Sequence, residues 1–289
     1  GNESKRERAA KLATAGVSVA AFDLKTGEVV WELRHAWGAS YASPIVTQLH
    51  GQTKLLVFAG GESDPPTGGL LCIDPATGRL ESEFAWRADD YISATASTPV
   101  VIRGKNRVFI STCYPKGRPL GGAMVEYDEA FQPKAVWQSA KIGTHWMTPV
   151  HHEGHLYAVD GERENNSRLV CVNAETGEEV WAEELRWADA GLGKKLGRGG
   201  PVTLGFFRGS LLRVDGAFLA LGELGTLMWL DLSPKGCEVR QQAPLFYATN
   251  TWALPAVSRG LLYVCQHGDD IDVTQGAGPR VMCFDLRGE

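Results

Sequence analysis

One pattern recurs six times along this chain and constrains its fold more than any other feature. An apolar run ends in Asp or Asn, a Thr-Gly turn follows in the best copies, and a second apolar run then begins. The recurring Asp or Asn stands at positions 23, 74, 128, 173, 231 and 285. A period of about 50 residues, varied by loop insertions, predicts a repeat protein in which each copy is one structural unit.

Each copy contains four short β-rich runs, which we name strands A to D in chain order. Strand A follows a Ser-Pro or Thr-Pro pair in three copies, as at Ser43-Pro44, and a turn that contains Gly joins it to strand B. Strand C ends at the recurring Asp or Asn, and the next turn leads to strand D, which carries a Trp in the clearest copies. Short apolar runs joined by Gly turns predict antiparallel hairpins.

Four antiparallel strands in every repeat predict an all-β chain built as a β-propeller, in which each blade packs face to face on the next. The chain has strands C and D at its start, four complete blades, and strands A, B and C at its end. One blade cannot hold five strands, so we expect an incomplete ring from a larger propeller of six to eight blades. A closed ring of five blades is the alternative. The expected domains are a charged segment at 1–15 and a propeller domain at 16–289, with blade phases near 16–33, 41–84, 95–139, 146–185, 208–242 and 251–287.

The turn between strands C and D has a mechanical reason for its sequence. The Asp or Asn side chain accepts hydrogen bonds from backbone N–H groups two or three residues later, and Gly adopts the positive φ that closes the hairpin. The Trp of strand D presents a broad ring that covers part of the seam to a neighbouring blade. We therefore expect a structural role for Asp23, Gly27, Trp31, Asp74, Gly78, Asn173, Gly177 and Trp181.

Charge argues against a nucleic-acid partner, and hydropathy argues against a membrane-spanning segment. The chain has 29 Lys and Arg against 34 Asp and Glu, a net charge of −5, and no basic run stands out, so a nucleic-acid partner is not expected. No apolar run approaches the length of a membrane-spanning helix, so no transmembrane segment is expected. No export signal is visible in the chain.

The pattern Asp-x-x-Thr-Gly-x-x-x-Trp, complete at Asp23 to Trp31 and with Asn at Asn173 to Trp181, resembles the tryptophan-docking repeat of the pyrroloquinoline-quinone (PQQ)-like β-propeller family. The resemblance covers residues 16 to 287. That family includes quinoprotein dehydrogenases and propellers similar to the outer-membrane-assembly lipoprotein, which bind no quinone. The dehydrogenases carry an adjacent Cys-Cys disulfide, an axial Asp and calcium ligands, whereas none of the six cysteines here is adjacent to another.

The resemblance therefore implies a bacterial, non-catalytic scaffold that binds a protein or ligand in the periplasm or cell envelope. No catalytic residue and no cofactor are expected. The alternative is part of a PQQ-dependent alcohol or sugar dehydrogenase that uses PQQ and calcium.

Three further features do not predict a metal site or a phosphate site. Cys72, Cys171 and Cys283 occupy the same position of strand C in their repeats, which predicts small buried apolar side chains. The spacing of the histidines brings at most two together, so no metal site is expected. The Gly-rich stretch 191–200 is interpreted as a long connector that opens no helix.

The connectors from strand D to the next strand A are rich in aromatic residues. In a propeller these D-to-A connectors emerge on one face together with the B-to-C loops, and Trp, Tyr and Arg are the residues that dominate binding surfaces. We expect a protein partner or an extended ligand there, although part of these rings can instead fill the ends of the blades. The candidate binding residues are Trp37, Tyr41, Trp86, Arg87, Asp89, Tyr91, His145, Trp146, Arg198, Asn250 and Trp252.

Overall fold

The computed structural model describes residues 16–93, 95–113, 120–161, 167–271 and 278–287. The chain divides into two compact units, Gly1–Gly143 and Thr144–Glu289, which we call unit 1 and unit 2. The charged segment predicted at 1–15 lies outside the described residues, as do 114–119, 162–166 and 272–277 in the predicted B-to-C loops. The predicted division into domains stays a prediction.

Unit 1 contains three antiparallel sheets. Strands β1 (Val17–Phe22) and β2 (Val29–Arg34) pair with each other. The second sheet has the order β3 (Ile45–Leu49), β4 (Gln52–Ala59), β5 (Gly69–Ile73) and β6 (Leu80–Ala85). The third has the order β7 (Val100–Ile102), β8 (Arg107–Ser111), β9 (Gly122–Tyr127) and β10 (Pro133–Ser139). Every strand pairs with its neighbour in sequence, which is the order expected of a propeller blade.

Unit 2 contains four antiparallel sheets. The first is β11 (Val150–His152), β12 (His155–Asp160), β13 (Arg168–Asn173) and β14 (Glu179–Glu183). The hairpin β15 (Arg186–Asp189) and β16 (Val202–Gly205) follows. The third is β17 (Ser210–Val214), β18 (Ala217–Leu221), β19 (Thr226–Ser233) and β20 (Gly236–Pro244), and the last is β21 (Ala256–Ser258), β22 (Leu261–Gln266) and β23 (Arg280–Asp285). The predicted all-β fold of four-stranded antiparallel propeller blades is confirmed, and the incomplete ring stays a prediction.

Strand β5 is apolar on both faces because it lies between two packed sheets of unit 1. In β5, Leu70 and Cys72 contribute to one hydrophobic cluster, which includes Val108 and Val125 of the third sheet of unit 1. Leu71 and Ile73 point the other way, into a cluster with Trp31 of β2. Side chains alternate between the faces of a strand, so a continuous apolar run fills both seams.

The turns between strands C and D form as their sequence requires. Asp23 Oδ1 accepts hydrogen bonds from the N–H groups of Lys25 and Thr26 at 2.9 and 2.8 Å, and Gly27 has φ 73°. These bonds, that of Thr26 first, lower the pKa of the Asp23 carboxyl. The turns that start at Asp74 and Asn173 have the same two hydrogen bonds, with Gly78 and Gly177 at φ 74°.

In each unit, a Trp of strand D donates a hydrogen bond to a turn of the four-stranded sheet that follows. In unit 1, Trp31 Nε1 donates to the carbonyl of Pro75 at 2.9 Å, in the turn between β5 and β6. In unit 2, Trp181 Nε1 donates to the carbonyl of Ser233 at 2.8 Å, at the end of β19. Both rings are partly buried, and the turn carbonyl accepts from the indole N–H across the seam.

The Gly-rich stretch 191–200 corrects one prediction. The sequence predicts a connector without a helix, whereas the structure has the short helix α1 (Ala190–Lys195) between β15 and β16. Asp189 caps the helix by accepting from the N–H of Leu192 at 2.8 Å, and Leu192 is buried. Tyr247 Oη in turn donates to both carboxylate oxygens of Asp189 at 3.0 and 3.1 Å. A cap and tertiary packing thus form a helix that the composition does not favour.

The prediction that three cysteines are buried is wrong for Cys283, which lies on β23. Cys72 and Cys171 are buried as expected, and burial raises their thiol pKa to about 12 and about 11. Cys283 is exposed instead. Cys72 and Cys171 pack in clusters with residues of a neighbouring sheet, whereas β23 is the edge strand of a three-stranded sheet among the described residues. No helix in the described part of the chain has the length and apolar character that a membrane span requires.

Candidate binding sites

A buried ion pair in unit 2 holds one predicted binding residue in place. Glu223 is 5% exposed and lies in the loop between β18 and β19. Its carboxylate accepts from Arg208 Nη2 at 2.6 Å and Nε at 3.0 Å, and from Trp252 Nε1 at 3.0 Å. The Arg208 guanidinium also lies 5.1 Å from the centre of the Trp252 ring, a cation–π distance. One hydrogen bond to Glu223 and one cation–π contact with Arg208 therefore hold the Trp252 indole.

The Trp252 ring continues into a stack of aromatic rings. Trp252 and Trp146 stack with centroids 5.3 Å apart and planes 23° from parallel. Trp146 and His145 stack at 4.2 Å and 24°. We call His145, Trp146, Trp252, Arg208 and Glu223 together the tryptophan stack. Its rings come from two D-to-A connectors, as predicted, and the structure brings them into contact.

The tryptophan stack is mostly buried but reaches the surface at Trp252. His145 is 8% exposed, whereas Trp252 is 37% exposed. Two neighbours in the sequence of Trp252 are exposed as well, namely Asn250 in a left-handed conformation with φ 62° and Leu254 at 51%. Arg198, the remaining binding candidate of unit 2, is exposed just after α1 and is not part of the stack.

In unit 1 a second group of connector residues is exposed. Tyr41, Tyr91 and Ile92 are 62%, 54% and 50% exposed. The N–H of Tyr41 donates to the carbonyl of Thr95 at 3.0 Å, so the first connector is hydrogen-bonded to the second. We call Tyr41, Tyr91 and Ile92 the tyrosine patch.

Arg87 organises the loops beside the tyrosine patch. Its guanidinium donates to the carbonyls of Gly61, Thr67 and Tyr91 at 2.5, 3.1 and 3.2 Å, and to Ser93 Oγ at 2.8 Å. These contacts tie the loop between β4 and β5 to the connector after β6. The guanidinium therefore has a structural task beside any role in binding.

Trp37 and Trp86 occupy the interior of unit 1. They are 8% and 5% exposed and belong to two hydrophobic clusters. Both also line a cavity of about 650 Å³, together with Arg87 and the exposed Asp89. These two rings therefore fill the ends of the sheets rather than present a broad surface.

Arg208 and Glu223 are not among the binding residues that the sequence predicts. Glu223 is the one charged residue between Ala217 and Leu230, in an otherwise apolar stretch. A lone charge in such a stretch is rarely left unpaired when it is buried. That signal predicts a partner for Glu223, but not which residue it is.

The described residues of this chain do not match those of a quinone-dependent site. No two cysteines are adjacent in the sequence. Among the residues that the structure describes, no group of three or more His, Cys, Asp or Glu side chains is arranged to hold a metal ion. We therefore derive no chemistry through PQQ or calcium.

Repeated four-stranded antiparallel sheets, with Asp-x-x-Thr-Gly turns between strands C and D and a hydrogen bond from the Trp of strand D to a later turn, define a PQQ-like β-propeller repeat protein. A family model described as outer membrane protein assembly factor BamB matches residues 6–183, more than half of the chain. The chain belongs to this family, which confirms the resemblance to the outer-membrane-assembly members.

Solved structures and curated proteins add two findings. The crystal structure of BamB from Moraxella catarrhalis is similar at 14% identity and a TM-score of 0.43, covering 86% of this chain and 75% of that one. No match was found among the curated proteins.

Proposed function

We propose that this chain is a non-catalytic binding scaffold of the bacterial cell envelope, located in the periplasm, which binds a protein that takes part in outer-membrane protein assembly. Membership of the BamB family supports the setting and the kind of partner. The exposed aromatic residues of the connectors supply surfaces of the composition that protein interfaces use.

The observation that carries the proposal is the way Trp252 is held. Binding energy in protein interfaces is concentrated in a few Trp, Tyr and Arg side chains, and a side chain that is already ordered loses little entropy when a partner binds. Trp252 is partly exposed, yet Glu223, Arg208 and Trp146 hold it from several directions. It is therefore a preformed anchor, and the tyrosine patch gives unit 1 an exposed aromatic surface.

Site-specific photo-crosslinking tests this proposal. Leu254, beside the tryptophan stack, and Tyr91, in the tyrosine patch, are each replaced by p-benzoyl-phenylalanine. After irradiation in a cell-envelope extract, we expect both positions to form adducts with a protein of outer-membrane assembly. The adducts are identified by mass spectrometry.

Two matched control positions lie on strands rather than on connectors. Val136 in β10 and Val180 in β14 are 40% and 42% exposed. Equal crosslinking at the control positions would contradict the proposed surfaces.

Once the partner is identified, Trp252→Ala is expected to weaken its binding by about 2 kcal/mol, the loss typical of a central anchor. Unchanged far-ultraviolet circular dichroism shows that the variant is folded.

Quinone-dependent oxidation of an alcohol or sugar is the alternative function, and a titration distinguishes it. We expect the protein to show no new visible absorbance and no dye reduction when PQQ and calcium are added with ethanol or glucose. A known quinoprotein dehydrogenase, reconstituted in the same buffer, is the positive control. Saturable absorbance with turnover would reverse the assignment.

A further inference from the structure

The cavity of unit 1 is lined by none of the three side chains of the tyrosine patch. Its volume of about 650 Å³ lies in the range of sites that take small molecules. The loop between β4 and β5, the end of β6 with its connector, and β10 each contribute to its wall. Elements from two neighbouring sheets and a loop thus enclose one space.

The aromatic part of the wall is rigid. Phe84 and Trp86 stack with centroids 6.2 Å apart and planes 19° from parallel. The Trp37 ring packs edge-on against His35 with centroids 4.9 Å apart, and the backbone N–H of Trp37 donates to His35 Nδ1 at 3.0 Å. His35 Nε2 lies 2.8 Å from Glu83 Oε2, which fixes the imidazole in turn. Each ring is held by its neighbours before any ligand arrives, as a preorganised site requires.

The polar part of the wall carries both signs of charge. Asp89 supplies an exposed carboxylate, and Gln138 supplies an exposed amide that can donate and accept. Arg87 supplies a guanidinium, which its contacts with Gly61, Thr67 and Ser93 keep in place. One carboxylate and one guanidinium give the lining no net charge, which suits a polar ligand without net charge.

We infer that this cavity binds a neutral saccharide of one or two rings. The C–H faces of a sugar ring pack on aromatic side chains, and Phe84 is the most exposed of the three aromatic rings in the wall. Hydroxyl groups both donate and accept, so the same ligand pairs with the Asp89 carboxylate and with the Gln138 amide. The saccharide site does not depend on the proposed binding of a protein.

Saturation-transfer-difference NMR and calorimetry on the full chain test the inference with cellobiose, maltose and N,N′-diacetylchitobiose as probes. We expect saturation transfer to the ring protons of at least one probe. Asp89→Asn and Gln138→Ala are each expected to weaken its binding by about tenfold, which corresponds to the loss of one good hydrogen bond. Both side chains are exposed, so neither substitution disturbs the core.

Lys134→Ala is the matched control, because Lys134 is an exposed residue of β10, the strand that carries Gln138, and is not part of the cavity wall. Its affinity for the probe should equal that of the unaltered chain. The inference is overturned if none of the three probes receives saturation at millimolar concentration, or if Asp89→Asn and Gln138→Ala bind the probe as tightly as Lys134→Ala does.

Discussion

Glu223→Ala is expected to lower the free energy of unfolding by about 3 kcal/mol, the lower end of what the loss of one member of a buried ion pair costs. The substitution removes the carboxylate that accepts from Arg208 and from Trp252. Arg208 has a side chain that is 21% exposed, so its charge remains largely buried without the carboxylate. The indole N–H of Trp252 loses its acceptor in the same step.

Urea unfolding followed by circular dichroism measures this effect, and Glu223→Gln is the matched control. Gln keeps the length of the side chain and an oxygen that accepts from Trp252, but it lacks the charge that pairs with Arg208. We expect its unfolding midpoint to lie between those of the unaltered chain and Glu223→Ala. A midpoint for Glu223→Ala equal to that of the unaltered chain would mean that the ion pair does not stabilise the fold.

Gly78→Ala is expected to destabilise the chain much more than Gly27→Ala, although the two glycines occupy the same position of two equivalent turns. Both have a left-handed φ, 74° and 73°, and a side chain there costs about 1 kcal/mol. A Cβ at Gly78 would also lie 2.5 Å from Cδ2 of Trp31, whereas a Cβ at Gly27 has no heavy atom within 4 Å. Displacing the indole adds about 2 kcal/mol, the cost of overpacking.

The difference between the two unfolding midpoints isolates the contact with Trp31, because the cost of the backbone conformation is common to both variants. The double variant Gly78→Ala with Trp31→Ala supplies a further check. Without the indole, Gly78→Ala should cost no more than Gly27→Ala does. An equal loss of stability in Gly78→Ala and Gly27→Ala would refute the clash.

Features set by local chemistry were predictable from the sequence. An Asp-x-x-Thr-Gly run encodes its own hydrogen bonds and its positive φ, so Asp23 and Gly27 form the expected turn without help from distant residues. Short apolar runs joined by Gly-containing turns encode the hairpins, and their repetition is sufficient to predict four-stranded antiparallel blades.

Features set by contacts distant in sequence were not predictable. Helix α1 depends on the cap at Asp189, which Tyr247 orients from 58 residues away. Arg208 and Glu223 pair across 15 residues through the geometry of the loops, and no periodic pattern reports such a pair. Composition alone does not distinguish Trp86, which is buried, from Trp252, which is partly exposed.

The hydrogen bonds from Trp31 and Trp181 to a later turn also have a direction along the chain. Trp31 finds its acceptor 44 residues later, and Trp181 finds its acceptor 52 residues later. During synthesis from the N-terminus, each of these indoles leaves the ribosome about one repeat before the carbonyl that receives it. A nascent repeat therefore reaches its final packing only when its successor has been translated.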